Sequence, residues 1–434
     1  MTALDRFFPV GADLAAAEVQ SLSGMARGMR PSKILTIAYA VRDRIEAGGP
    51  VANFTVGDFA PSQFQVPAAL KGGIVEAVGQ NHTNYPPAFG IPELRSAIRR
   101  HYAADLGLDY PDDAIVVASG ARPALYGAYA CLVDPGEAVV TPAPSWNNDN
   151  FCQLAGADHR CVPARPEDAF MPTAEGLAPH LKGARLLVLN SPMNPAGTMM
   201  REAQMRDICD LVLDENTRRA RAGERALYVV YDHVYRMLAF GDLAHVTPVG
   251  VRPEMARYTL FCDAISKSFA ATGLRVGWVV APPFIAGRFR ALLTHIGAWA
   301  PRPEQHATAA LLDDPVAVGA WLRAFLPAIK VRLDRLYDAF SGWRREGLPV
   351  DVIAPEGAIY LSVRFDLEGR AGFADEDAVM RWLLDEAGCA VVPFSAFGDH
   401  HNRGWFRFSV GAVGLDEIDG CLSRLYPALR KLVA

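Results

Sequence analysis

Five short apolar runs in the chain are each followed by residues able to do chemistry. Gly120-Ala121-Arg122 opens a helical pattern after the first. Ser145-Trp146 follows the second, and Asn190 and Asn194 follow the third. Asp232 and Tyr235 come after the fourth. Ser266 and Lys267 come after the fifth, with Arg275 eight residues beyond the lysine. Ligands of open parallel sheets bind beyond the carboxyl ends of strands. A helix N-terminus offers free N–H groups and a positive dipole end to a phosphate, and a guanidinium grips the same anion through a bidentate fork. An amine, an acid, a phenol, an amide and an indole converging beside such a phosphate site suit a phosphorylated aromatic cofactor that carries a carbonyl.

Those residues need a scaffold. Runs at 114–118, 138–141, 185–190, 226–232, 258–263 and 275–281 are continuously apolar rather than alternating. Helical patterns at 121–133 and 201–214 separate them, and the Arg- and Ala-rich stretch 217–226 reads as a charged helix end or a loop. Continuous apolar strands alternating with helices predict βαβ units and a parallel sheet buried on both faces. The texture changes from residue 315 onward. A long helical pattern covers 321–343, strands are expected at 350–354, 359–365, 390–393 and 405–410, and helices at 375–386 and 415–432. The expected division is an N-terminal arm and helix (1–50, the helix at 34–47), a large α/β domain (51–310) and a smaller α+β domain (311–434). A chain of 434 residues exceeds what one compact core accommodates.

Composition removes several classes. With 51% hydrophobic and 21% charged residues the chain is too apolar to be disordered. A net charge of -5 gives no excess of cations to drive binding to a nucleic-acid backbone. The seven cysteines are odd in number and form no C-x-x-C pair. Neither a zinc module nor a disulfide framework is therefore expected, and reduced thiols in the cytoplasm are. Residues 1–10 lack a signal layout, and the longest apolar runs, such as 226–231, are too short to span a bilayer, so no membrane association is expected. His400 and His401 have no third ligand at a metal-binding spacing, so no metal is expected either.

Between residues 53 and 410 the chain resembles the class I/II aminotransferases of the fold-type I pyridoxal-phosphate enzymes, in particular the aspartate-aminotransferase-like members. The resemblance rests on motifs in shared order: 81–95 (NHTNYPPAFGIPELR), 119–125, 190–197 (NSPMNPAG), 232–235, 266–277 (SKSFAATGLRVG), 392–398 and Arg407. It implies a mostly parallel sheet sandwiched by helices, with a smaller C-terminal α+β domain. It implies pyridoxal 5'-phosphate as cofactor and an amino acid and a 2-oxo acid as substrates. Lys267 resembles the Schiff-base lysine that also shuttles the α-proton. Asp232 resembles the partner of the pyridinium nitrogen, and Tyr235 and Asn194 the partners of the phenolic oxygen. Arg275, Ser266 and the helix opening at Ala121-Arg122 resemble the phosphate cradle, and Trp146 the aromatic that stacks on the ring. Tyr85 resembles the tyrosine that reaches the phosphate of a neighbouring subunit, which implies a homodimer with shared sites. Arg407 and Gly57 resemble the holders of the substrate α-carboxylate, with Trp146 and Asn194 beside them. Arg122 occupies the position of a cation that contacts a distal carboxylate, which points to aspartate or glutamate.

Four departures stand out. Ala264 replaces a polar phosphate ligand, a loss that Ser266 or Ser268 could offset. His233 follows Asp232 where Glu is common. Asn-Pro-Ala-Gly replaces Asn-Pro-Thr-Gly. Phe394 follows Pro393 where Gly is usual, which predicts a stiffer loop or a side chain filling part of the pocket. An aromatic, kynurenine-like or alanine-type substrate stays open, as does a lyase or decarboxylase on the same scaffold. A regulatory protein built on this fold would carry an N-terminal DNA-binding module, and residues 1–50 show no basic helix-turn-helix pattern.

Overall fold

The computed structural model describes residues 13–29, 33–370 and 372–433. Residues 1–12, the start of the expected N-terminal arm, lie outside them.

The central element is a seven-stranded sheet. In chain order its strands are β1 (Ile115–Ala118), β2 (Ala138–Ala143), β3 (Asp158–Pro163), β4 (Ala184–Asn190), β5 (Tyr228–Asp232), β6 (Thr259–Ala264) and β7 (Gly277–Val280). They lie side by side in the order β1-β7-β6-β5-β4-β2-β3. Alternate residues of every strand but the edge strand β3 enter opposite cores. Val116, Val139, Leu186, Val188, Val230 and Leu260 pack under the helices Ala121–Leu132 and Pro283–Ile296. Ile115, Val117, Val140, Leu187, Val229 and Phe261 enter the core on the other face. The strands read as unbroken apolar runs because both sets of alternating positions are buried.

Two strands depart from the expected pattern. β7 runs antiparallel to both neighbours, β1 and β6. The helical turn that follows β6, Ile265–Ser268, is four residues and about 6 Å long. Residues 265–276 fold back on themselves through this turn and a second one at Thr272–Leu274, so that Gly277 pairs with Ala264 and β7 re-enters the sheet at the end where β6 leaves it. The strand β3, with the sequence DHRCVP, pairs only with β2 at the sheet edge and exposes much of its length, so it carries no apolar signal.

A second, antiparallel sheet has the order β10-β11-β9-β8, from β8 (Val350–Ile353), β9 (Tyr360–Phe365), β10 (Val392–Pro393) and β11 (Trp405–Ser409). Its core takes side chains from the helices Pro315–Arg345, Glu376–Ala387 and Leu415–Val433. The first of these is longer than the expected 321–343 because Asp314 caps it, accepting from the Ala317 N–H at 2.9 Å, and Pro315 fits its first turn. Ala52, Phe54, Phe59 and Phe64 also enter this second core, and Ala52–Asn53 pairs in parallel with Cys389–Ala390. This stretch, which the sequence groups with the large domain, therefore packs with the C-terminal sheet. The N-terminal helix Lys33–Glu46 lays Ile37 and Val41 into a small cluster with Val392 and Phe397, against which Trp146 packs. Among the described residues no helix is long and apolar enough to cross a membrane.

Candidate active site

A cavity of about 440 Å³ opens beyond the carboxyl ends of β4, β5 and β6. Its walls come from both sheets. Asn190, Asn194, Asp232, Tyr235, Ser266, Lys267, Arg275, Ala121, Arg122 and Trp146 come from the seven-stranded side, and Tyr360 and Arg407 from β9 and β11. Gly57 closes it from the segment after Asn53, and Ala38 of the N-terminal helix touches it.

Lys267 sits in the turn Ile265–Ser268, and its Nζ donates to the Gly57 carbonyl at 2.6 Å. Burial lowers the amine to about 8; Asp58 opposes that shift and Arg407 reinforces it. Asp232 ends β5, and its Oδ1 accepts from the Val234 N–H at 3.3 Å. Burial raises its carboxyl to about 7, with Asp263 pushing the same way and Lys267 opposing. A buried charge lacking a full complement of partners shifts toward its neutral form, and both groups do so. The Tyr235 hydroxyl lies 2.5 Å from that of Tyr360.

Arg407 is 2% exposed. Its Nη1 donates to Asn194 Oδ1 at 3.0 Å and its Nη2 to the Thr55 carbonyl at 2.7 Å. Its Nε has no partner among the described residues. The guanidinium lies 4.8 Å from the ring centres of both Tyr360 and Phe397. A Cβ at Gly57 would stand 3.0 Å from the Tyr360 hydroxyl and 3.3 Å from Arg407 Nη1, so a side chain there would crowd the guanidinium.

On the opposite wall, Gly120 at φ 88° opens the helix Ala121–Leu132, and among the described residues no side chain caps its first N–H groups. Any side chain at Gly120 would collide with the Arg275 guanidinium. Arg275, at φ 57°, donates to the Thr272 carbonyl at 2.7 Å and the Ser119 carbonyl at 3.1 Å. The Arg122 guanidinium lies 4.7 Å from the centre of the Trp146 ring. Burial and the neighbouring Arg275 both lower its pKa.

Tyr85 stands apart. It is 80% exposed, packs edge-on against Trp299 at 5.1 Å and does not line this chain's cavity. Phe394 also differs from expectation. It is fully buried against Phe170, at 4.9 Å, and Trp405, in the core on one face of the seven-stranded sheet, and not in the pocket. Ala264 is buried and outside the cavity lining, whereas Ser266 is in it. Tyr360, Asp58 and Thr272 are site residues that sequence reasoning missed. Tyr360 lies in an apolar strand and resembles a core aromatic. Asp58, which accepts from the Thr272 hydroxyl at 2.6 Å, adjoins the singled-out Gly57, and that adjacency was the available signal.

Four cationic side chains thus face two carboxylates, Asp58 and Asp232, across one cavity. The excess suits a ligand carrying more than one anionic group. A profile of the family described as aminotransferase class I and II matches residues 50–425. The chain is 29% identical over 417 residues to a bifunctional aspartate aminotransferase and glutamate/aspartate-prephenate aminotransferase of Petunia hybrida, covering 94% of this chain and 83% of that one. It is 27% identical to an aspartate aminotransferase of Geobacillus stearothermophilus, covering 93% and 98% of the two chains. The solved structure of an aspartate aminotransferase from Rhizobium meliloti superposes with a TM-score of 0.85 at 25% identity, over 94% of this chain and 99% of that one. One from Thermus thermophilus with maleate gives 0.82 at 25% identity, with the same coverage. These matches, together with the convergence of the lysine, the strand-end acid and the arginines in one crevice, identify the chain as a member of the class I and II aminotransferase family, an enzyme that transfers amino groups with pyridoxal phosphate as the family's cofactor.

Proposed function

We propose that this enzyme moves the amino group of a dicarboxylic L-amino acid, aspartate or glutamate, to a 2-oxo acid, using pyridoxal 5'-phosphate held in the cavity described above. The observation that carries the reading is that the Lys267 amine shares one cavity with Asp232 and with two separate guanidinium groups, Arg275 and Arg407.

The residues fit the cofactor. Gly120, the uncapped start of the helix Ala121–Leu132 and Arg275 form a cradle of donors for a phosphate, with Ser266 nearby. Asp232 would pair with the ring nitrogen, Tyr235 and Asn194 with the ring oxygen, and Trp146 would cover one ring face. When bound, pyridoxal phosphate supplies an aldehyde that takes up amino groups and a ring that accepts the electron pair of the α-carbon.

The chain's own groups do the rest. Arg407, with its unpartnered Nε and an Nη1 on Asn194, grips the substrate α-carboxylate beside Gly57. That grip turns the α-hydrogen toward Lys267. The Lys267 amine, lowered to about 8, has a substantial neutral fraction near pH 7.5 and so takes and returns the α-proton. Arg122, held over Trp146, is the cation left for a distal carboxylate. The aspartate aminotransferase activity named for the relatives and the maleate in the Thermus thermophilus structure support that assignment. The exposed Tyr85, with exposed Val75, Phe284 and Ile296, supports a homodimer in which Tyr85 serves the partner's site. We assign the enzyme to the cytoplasm, since all seven cysteines are free thiols.

A half-reaction screen tests the reading. Purified protein loaded with pyridoxal phosphate is mixed with single amino acids, and conversion of the coenzyme to its amine form is followed by absorbance. Aspartate and glutamate should convert it fastest, and Lys267→Ala should abolish the visible band. Decarboxylation or elimination products, or a normal band in Lys267→Ala, would overturn it.

A further inference from the structure

The residues after β5 alternate in direction. Asp232 and Tyr235 face the cavity, while His233 and Arg236 turn away from it into a buried polar cluster. Arg236 is 4% exposed and Asp263, on β6, is 2% exposed. The Arg236 Nε donates to Asp263 Oδ2 at 2.8 Å, and its Nη1 pairs with the half-exposed Asp105. The other oxygen of Asp263 accepts from the Ala264 N–H at 2.7 Å, at the start of the turn that carries Lys267. The Tyr102 hydroxyl lies 2.8 Å from His233 Nε2 and 3.4 Å from Asp263 Oδ2, and accepts from Trp278 Nε1 of β7 at 3.1 Å. His233 Nδ1 meets His245 Nε2 at 3.3 Å, and the Arg236 guanidinium lies 5.3 Å from the centre of the Tyr102 ring.

We propose that Arg236 and Asp263, with Tyr102 and His233 around them, are positioning residues that hold Asp232 and Lys267 in register across neighbouring strands. The inference rests on the reading of Asp232 as the partner of the cofactor's ring nitrogen. Its basis is connectivity: a single buried ion pair ties the turn carrying Asp232 and Tyr235 to the turn carrying Lys267. An apolar pair of equal volume would fill the same space without fixing a direction, whereas a charge-assisted hydrogen bond fixes both distance and angle. Charge balance is the second element. Asp263 lies close enough to Asp232 to disfavour its charge, and Arg236 neutralises Asp263. The other titratable groups around the guanidinium are His101 and Asp105 on the helix Pro92–Leu106 and His245 on the loop after β5.

The test compares the wild type with Arg236→Lys, Arg236→Met and the double variant Arg236→Met/Asp263→Asn, which leaves no unpaired buried charge. Arg219→Met serves as the control: Arg219 is equally buried, bonded to Glu215 and to backbone carbonyls far along the chain from the site. Each protein is stripped of cofactor and titrated with pyridoxal phosphate, the pH midpoint of the visible band is recorded, and melting is measured alongside. Arg219→Met should melt earlier yet keep the wild-type midpoint and affinity. Arg236→Met should bind pyridoxal phosphate about tenfold or more weakly and shift the midpoint by about one pH unit, with Arg236→Lys recovering part of both. If Arg236→Met does not fold, the double variant decides: it should fold, yet show lowered affinity and a lower kcat at unchanged KM. A double variant that folds and matches the wild type in affinity, midpoint and kcat would overturn the proposal. A wild type that binds no pyridoxal phosphate would overturn the reading beneath it, and the proposal with it.

Discussion

Asp232→Asn should stabilise the cofactor-free protein, and only at neutral and alkaline pH. Asp232 is raised from 3.8 to about 7 by burial. A carboxyl whose folded pKa exceeds its unfolded pKa destabilises the fold above both values, and that penalty vanishes as pH falls below the unfolded pKa. At pH 8 the full shift corresponds to about 4 kcal/mol. Asp232 faces the cavity and is screened by the water there, so about 2 kcal/mol is expected. The neutral amide avoids that penalty and keeps the acceptor for the Val234 N–H. For a chain of this length about 1 kcal/mol moves the melting temperature by about 1 °C. Asp232→Asn should therefore melt about 2 °C above wild type at pH 8 and well under 1 °C above it at pH 4.5. Differential scanning fluorimetry of stripped protein at both pH values reads this directly. Adding pyridoxal phosphate should reverse the order at pH 8, because the more tightly a ligand binds the folded state, the more it stabilises it. An equal gain at the two pH values, or a loss at pH 8, would refute the argument that burial holds this carboxyl in a strained charge state for the cofactor.

Arg122→Ala should cut kcat/KM for aspartate on the order of a hundredfold while leaving alanine within a few fold, the worth of one charge-assisted contact. Equal losses would mean that the guanidinium serves the phosphate or the fold. Mixing inactive Lys267→Ala subunits with inactive Tyr85→Ala subunits should restore about a quarter of wild-type activity, because half of randomly reassociated dimers carry one site with both residues intact; no recovery after confirmed exchange would show that Tyr85 does not cross to a partner. Gly277→Ala would bring a methyl group to 2.6 Å from the Ala121 backbone nitrogen and into the Gly120 backbone. It should weaken pyridoxal-phosphate binding about tenfold or more, as titration of the stripped variant would read. Unchanged affinity would mean that this turn does not hold the phosphate.

The parts of the fold legible in the sequence are those where physics leaves a one-dimensional trace. The strands β1, β4, β5 and β6 are buried on both faces, so their apolar runs mark them to within about two residues. Lys267, Asp232 and Arg275 stand out because charge at the end of an apolar run needs an explanation. What escaped lacks such a trace. Tyr360 and Phe408 share an apolar strand pair, and nothing local says that only the first reaches the cavity. The polarity of β7 depends on whether residues 265–276 fold back on themselves or cross the sheet, which no apolar pattern marks. The position of Phe394 depends on Phe170, more than two hundred residues away, whose ring leaves space beside it. Segment 52–64 joins the C-terminal core through four apolar side chains whose partners lie near the other end of the chain.

Arg407 and Tyr360 belong to the antiparallel sheet, whereas Asp232 ends a strand of the seven-stranded sheet and Lys267 sits in the turn that follows its neighbour. Any molecule that engages Arg407 and Lys267 together therefore bridges two sheets that already touch through the Tyr235–Tyr360 and Arg407–Asn194 hydrogen bonds and a shared apolar cluster. A substrate or product held as proposed has to release groups of both sheets to leave, so its escape depends on two cores at once.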